Sequence, residues 1–125
     1  MKLSTLLLIN AIAAFINALG FIFAPAQLLA FHLGVLGSTG EWIARELGGS
    51  TIGYAVLCWL ARDVRDAAAR RAIVIALGVS WGVGFVIALF RQFAEVANQN
   101  GWSAVAIYFL FAAGYAYFFF KGKME

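Results

Sequence analysis

Arg62-Asp63-Val64-Arg65-Asp66-Ala67-Ala68-Ala69-Arg70-Arg71 decides how this chain is organised. A run so rich in charge cannot enter hydrocarbon, where each ionised side chain is costly. On either side of it the sequence is apolar for about 20 residues, the length of one membrane-spanning helix. The run is therefore a short charged turn that joins two spans and continues their helices past the lipid surface. Outward from it, the apolar pattern predicts a second helix over 41–61 and a third over 72–93. Beyond these lie a first helix over 3–24 and a fourth over 102–120. The expected fold is all-α, a transmembrane four-helix bundle in which residues 1–125 form a single domain.

Composition agrees. The 125 residues are 64% hydrophobic and 12% charged, against roughly 45–50% and about 25% in soluble domains. That excludes an ordinary cytosolic enzyme, and four spans leave no room for a water-soluble catalytic domain. Aromatic residues make up 16% of the chain and there is one proline, so disorder is excluded as well. Near the start, Lys2, an apolar run and Ala24-Pro25-Ala26 imitate a secretory signal with its cleavage site. Leu6 to Ala24 is longer than the roughly 7–15 apolar residues of such a signal, so the segment reads as the first helix, ended by Pro25.

Orientation follows the placement of Lys and Arg close to the spans. Lys2, Arg62, Arg65, Arg70, Arg71, Lys121 and Lys123 fall on one side, Arg45 and Arg91 on the other. Both termini and the 62–71 turn are expected in the cytoplasm, with segments 25–41 and 94–101 outside. The net charge of +3 is thus a topology signal with some affinity for anionic lipid headgroups, not a footprint for nucleic acid. The outer segment Ala26 to Gly40 is too short to span and too apolar for a free loop. It is expected to lie in the membrane interface, with Gly34, Gly37 and Gly40 permitting tight turns.

The second helix carries polar residues where the others do not. Only residues 47–61 separate Glu46 from Arg62, about 22 Å at roughly 1.5 Å per residue, against a hydrocarbon core of about 30 Å. Arg45 can snorkel outward, but the shorter Glu46 needs a partner or a wet pocket. At about 100° per residue, Arg45, Glu46, Gly49, Ser50 and Gly53 share an arc of roughly 140°. Gly49 to Gly53 is a G-x-x-x-G pattern, and Gly78 to Gly82 in the third helix is a second; both suit close helix approach in lipid. Arg91 and Glu95 follow near the outer end of the third helix. An outer cluster of Arg45, Glu46, Arg91 and Glu95 is expected, either as interfacial anchors with a structural ion pair or as a ligand or ion vestibule.

Asn10 and Asn17 lie two turns apart in the first helix and are expected to hydrogen-bond to a neighbouring helix. Tyr108, Phe111 and Tyr115 belong to an aromatic fourth helix heavy enough to offer a surface to lipid or to a partner. His32 is the one histidine and Cys58 the one cysteine. Neither a metal site nor an intramolecular disulfide can be assembled from them. No Ser-His-Asp set and no phosphate-binding glycine loop is present, and no cofactor is expected.

Residues 45–54, Arg45-Glu46-Leu47-Gly48-Gly49-Ser50-Thr51-Ile52-Gly53-Tyr54, followed by Cys58-Trp59-Leu60-Ala61-Arg62-Asp63, resemble a pattern in small bacterial four-helix membrane proteins of the DoxX-like kind. The likeness includes the Gly20 to Pro25 end of the first helix and covers about half the chain. The resemblance implies a compact, multi-pass protein of the bacterial inner membrane and transfers no catalytic residue. Small multidrug transporters fit worse, because the first helix lacks their mid-membrane carboxylate. Thiol-oxidising membrane proteins need cysteine pairs, and the fluoride-channel phenylalanine motif is not matched by Gly78 to Phe93.

These readings predict a non-enzymatic accessory or scaffold protein, holding a lipid or isoprenoid-like molecule against its fourth helix. It is expected to act as a homo-oligomer or as a subunit of a larger membrane complex, in contact with membrane lipids and not with nucleic acid. The alternative is a small transporter or channel subunit with its outer vestibule at Arg45, Glu46 and Arg91. A third reading is a membrane-embedded enzyme acting on a lipid through Glu46 or His32.

Overall fold

The computed structural model describes residues 1–33, 37–94 and 99–121. Within them the chain forms α1 (Leu3–Phe23), α2 (Pro25–Leu33), α3 (Ser38–Ala61), α4 (Ala67–Phe93) and α5 (Gly101–Lys121), with no strand among the described residues. The all-helical class holds, and the four long helices fall close to their expected positions. α2 is an addition. Pro25 does follow the end of α1, but it also opens a new helix, in the first helical position where its missing N–H costs nothing. Gly20 makes the reversal possible. A Cβ there would lie 3.0 Å from Leu28 Cδ2, so α2 rests on the last turn of α1.

Most of the outer segment expected in the membrane interface is thus helical. Gly37 is the N-cap of α3 in ordinary extended geometry, with φ −76°, and Gly40 lies inside α3. Gly34 lies outside the described residues.

At the charged turn, α3 ends with Ala61, and Asp63 N–H and Val64 N–H donate back to the carbonyls of Leu60 and Ala61. Asp66 then caps α4, its carboxylate accepting from Ala69 N–H at 2.8 Å, which satisfies one of the unpaired donors of the first turn. α4 therefore begins at Ala67 and not at 72, as a helix that continues beyond its apolar stretch.

α1 packs along α3 and α4 along α5, while the two pairs meet over a much smaller backbone interface, chiefly α1 with α5 and α2 with α5. Small residues allow the first pairing. Ala11, Ala14 and Ala18 form a buried stripe on α1, facing a stripe of Ala44, Gly48 and Ala55 on α3. A Cβ on Gly48 would lie 3.0 Å from the Ala18 carbonyl oxygen, so the backbones are nearly in contact, the usual way helices gain packing energy where no water drives them together.

The two pairs close on each other at the end of the bundle that holds Leu3 and the 62–66 turn. Leu3, Leu6 and Leu7 of α1 meet Cys58 and Ala61 of α3, Val74 and Leu77 of α4, and Phe111, Tyr115 and Phe118 of α5 in one core. A Cβ on Gly114 would lie 3.1 Å from Leu6 Cδ2, bringing α5 against α1.

The outer surface is apolar. Phe23, Phe90, Phe93 and Phe120 are each more than 70% exposed, which water does not tolerate as a continuous belt but lipid does. α1, α4 and α5 are long and apolar enough to cross a membrane. Of the four expected spans these are three, and α3, the helix expected to carry polar residues, falls short in apolar character. Its first half carries Glu41, Arg45, Glu46 and the polar run 48–51.

Candidate functional site

Where the core ends, the two helix pairs diverge and leave a cavity of about 500 Å³. It occupies the end of the bundle nearest α2. All five helices line it, with Ala13, Asn17 and Phe21 from α1, Leu28 from α2, and Leu47, Ser50, Thr51 and Tyr54 from α3. Ser80, Trp81, Gly84 and Arg91 from α4 and Ala104, Ile107 and Tyr108 from α5 complete the wall. The α4 residues recur at intervals of three, four and seven, a helical face, so one side of α4 runs the length of the chamber. Its size is that of an ordinary small-molecule site.

The floor is a buried polar network. Asn10 on α1 is fully buried, and its Nδ2 donates to Tyr54 Oη at 3.1 Å and to Tyr115 Oη at 2.6 Å. One amide thereby ties α1 to α3 and to α5. Asn10 Oδ1 has no hydrogen-bond partner. Rotating the amide would let both phenols donate to it but would strand Nδ2 instead, so one atom stays unpaired either way.

Above this floor Trp81 anchors an aromatic wall. It stacks on Phe111 with ring centroids 4.5 Å apart and meets Tyr108 edge-on at 5.2 Å and Tyr54 at 6.4 Å. Gly84 leaves room for Tyr108, whose ring would sit 3.4 Å from a Cβ there. The indole Nε1 is shielded from water and has no hydrogen-bond acceptor.

Towards the α2 end the described lining becomes polar without carboxylates. Asn17 donates to its own helix at the Ala13 carbonyl, 2.9 Å away, and Thr51 to the Leu47 carbonyl, 2.7 Å away. Among the described residues, the only charged group on the wall is Arg91. Its Nε and Nη2 are both out of water's reach and both without an acceptor.

The expected outer cluster does not assemble among the described residues. Arg91 lines the cavity, but Arg45 lies over the Trp42 ring at 4.9 Å, and Glu46 is exposed. No ion pair joins these three. Glu95 lies outside the described residues. Arg45 on Trp42 is matched at the opposite end of α3 by Arg62 over the Trp59 ring at 3.8 Å, so each end of that helix carries an arginine on an indole.

The glycine expectation also shifts. Gly49, Gly53 and Gly82 have open space where a Cβ would be, and Gly78 is only in ordinary contact with Tyr115. The close approach belongs to Gly48, whose signal in the sequence was its phase with Ala44 and Ala55. Of the two asparagines, Asn10 bridges helices and Asn17 does not. None of the three aromatic residues expected to offer a surface to lipid or to a partner is exposed. Phe111 and Tyr115 are buried in the core and Tyr108 faces the cavity, while Phe109, Tyr117 and Phe120 of the same helix are exposed. Trp81 and Tyr54 are the site residues the sequence did not mark as such, Tyr54 entering only as the last residue of the 45–54 stretch. Their only sequence signal is aromatic residues on the otherwise small and aliphatic middles of α3 and α4.

No protein-family model matches the chain, and no curated protein or solved structure is significantly similar to it.

Proposed function

We propose that this chain is a non-enzymatic integral membrane protein that holds a lipid or isoprenoid-like molecule between its two helix pairs. The observation that carries the reading is the chamber of about 500 Å³, apolar and aromatic over most of its wall with a few polar groups, the character of sites that enclose amphiphiles. In this reading α3 crosses the bilayer as a fourth span. Its 24 residues extend about 36 Å, enough to cross the hydrocarbon core, and it packs along α1 through Ala44, Gly48 and Ala55 with Glu46 and Ser50 left exposed. Both termini and the 62–66 turn then lie on the cytoplasmic side of a bacterial inner membrane, following the bias of basic residues. The open glycines Gly49, Gly53 and Gly82 suit contact with a second copy or with another subunit of a membrane complex. The DoxX-like resemblance belongs to this proposal and supports its membrane setting.

Native mass spectrometry after mild extraction tests it. The wild type should retain an amphiphile stoichiometrically. Filling the chamber with Thr51→Leu and Ala104→Leu should remove it while the helical circular dichroism persists. A wild type free of any bound molecule, in both detergent and nanodiscs, overturns the reading.

The transporter alternative has one observation of its own, Arg91 as the one charged group among the described residues of the cavity wall. Flux of an anionic solute into proteoliposomes, lost in Arg91→Ala, would favour it over storage.

A further inference from the structure

Arg91 carries an inference that rests on the cavity reading and narrows it. A guanidinium with unpaired N–H groups out of reach of water is expensive, and such a group is retained where something else completes it. The two unpaired nitrogens, Nε and Nη2, are on one edge of the planar group. That edge presents two parallel N–H bonds and takes both oxygens of a carboxylate or a phosphate. Elsewhere the wall of the cavity is without charge, so it offers no competing carboxylate among the described residues. From Arg91 the chamber runs along α4 past Gly84 to Trp81, ten residues away and about 15 Å along the helix. Its aromatic end suits hydrocarbon and not a second charge.

We infer that the occupant is an anionic amphiphile, its carboxylate or phosphate headgroup held on the Nε and Nη2 edge of Arg91 by a rotation of that side chain and its apolar tail lying towards Trp81. Binding involves no covalent step. Arg91 sits in the last turn of α4, the level at which a headgroup enters while the tail stays in the hydrocarbon.

The test uses the full chain in phosphatidylcholine nanodiscs, with Trp42→Phe, Trp59→Phe and Trp102→Phe leaving Trp81 as the only fluorophore of its kind. Dibromostearate and its methyl ester quench tryptophan on contact and differ only in the charge of the headgroup. At about pH 9 the acid is ionised. The acid should quench Trp81 saturably and with about tenfold or greater preference over the ester, the effect of hydrogen bonds to a charged group. Arg91→Leu should abolish that preference, and Arg91→Lys, which keeps the charge without the fork, should retain part of it. Glu95 stands four residues on in sequence, and Glu95→Gln should leave the preference unchanged.

Equal affinity for acid and ester overturns the inference but leaves the cavity reading intact. Absence of saturable quenching by either probe overturns both. A rise of about tenfold in acid affinity in Glu95→Gln would show that Glu95 already holds the guanidinium, and would also overturn it. Displacement of the acid by millimolar inorganic phosphate would assign the site to a free anion and not to an amphiphile.

Discussion

A Cβ placed on Gly48 would lie 2.7 Å from Ile22 Cγ1 and 3.0 Å from both the Ala18 carbonyl oxygen and Phe21 Cβ. One of those neighbours is backbone, so the helices would have to separate. Gly48→Ala should therefore cost about 1–3 kcal/mol by overpacking, read as a lower unfolding midpoint in detergent. Gly53, five residues on, has nothing within 4 Å of a Cβ. Gly53→Ala should leave stability unchanged or raise it by up to about 1 kcal/mol through helix propensity. Equal losses in the two variants would show that α1 and α3 do not pack in this register. The sequence Gly48-Gly49-Ser50-Thr51-Ile52-Gly53 shows that small residues are concentrated here. It does not show which glycine faces α1, since adjacent positions differ by about 100° around the helix and the partner's position is needed to choose. For Asn10 the chain itself indicated a buried hydrogen-bonding role. Its partners Tyr54 and Tyr115 are 44 and 105 residues away, and nothing local connects them.

Among the elements, the charged turn is where hydropathy and helix structure part. Hydropathy locates the lipid boundary near residue 72, but Ala67-Ala68-Ala69 are strong helix formers, and a helix can run on into water. Asp66 stops it by capping. Asp66→Ala should destabilise the protein by about 0.5–2 kcal/mol, while Asp63→Ala, whose side chain is exposed, should stay within about 0.5 kcal/mol of wild type. Thermal unfolding of both variants decides this, and equal effects would remove the cap from the account. α2 was less legible for a related reason. At nine residues it is too short for its apolar pattern to distinguish a helix from an interfacial loop, and the useful signal, a proline opening a helix directly after another has ended, depends on Gly20 allowing the fold-back.

For the molecule as a whole, the packing is uneven from end to end. The end with Leu3, Cys58 and Phe118 is a filled core, and the end with α2 is open around Arg91 and Trp81. The proposed four-span arrangement predicts the sidedness of this asymmetry. In a Cys58→Ala background, cysteines at Lys2 and Asp63 should be labelled from one side of the membrane and a cysteine at Gln99 from the other. Labelling of Lys2 and Asp63 from opposite sides would take α3 out of the bilayer and with it the cytoplasmic assignment of both ends. An all-helical chain with membrane-compatible spans and a charged break within 62–71 follows from the sequence alone, because the solvation cost of charge and of unpaired backbone acts on each segment separately. The chamber, the inward turn of Tyr108, Phe111 and Tyr115, and the unpartnered guanidinium of Arg91 were decided only by the tertiary structure. Each depends on which helix faces come together, and in lipid that choice rests on shape and hydrogen bonding between distant segments more than on hydrophobicity, which is nearly the same on every side.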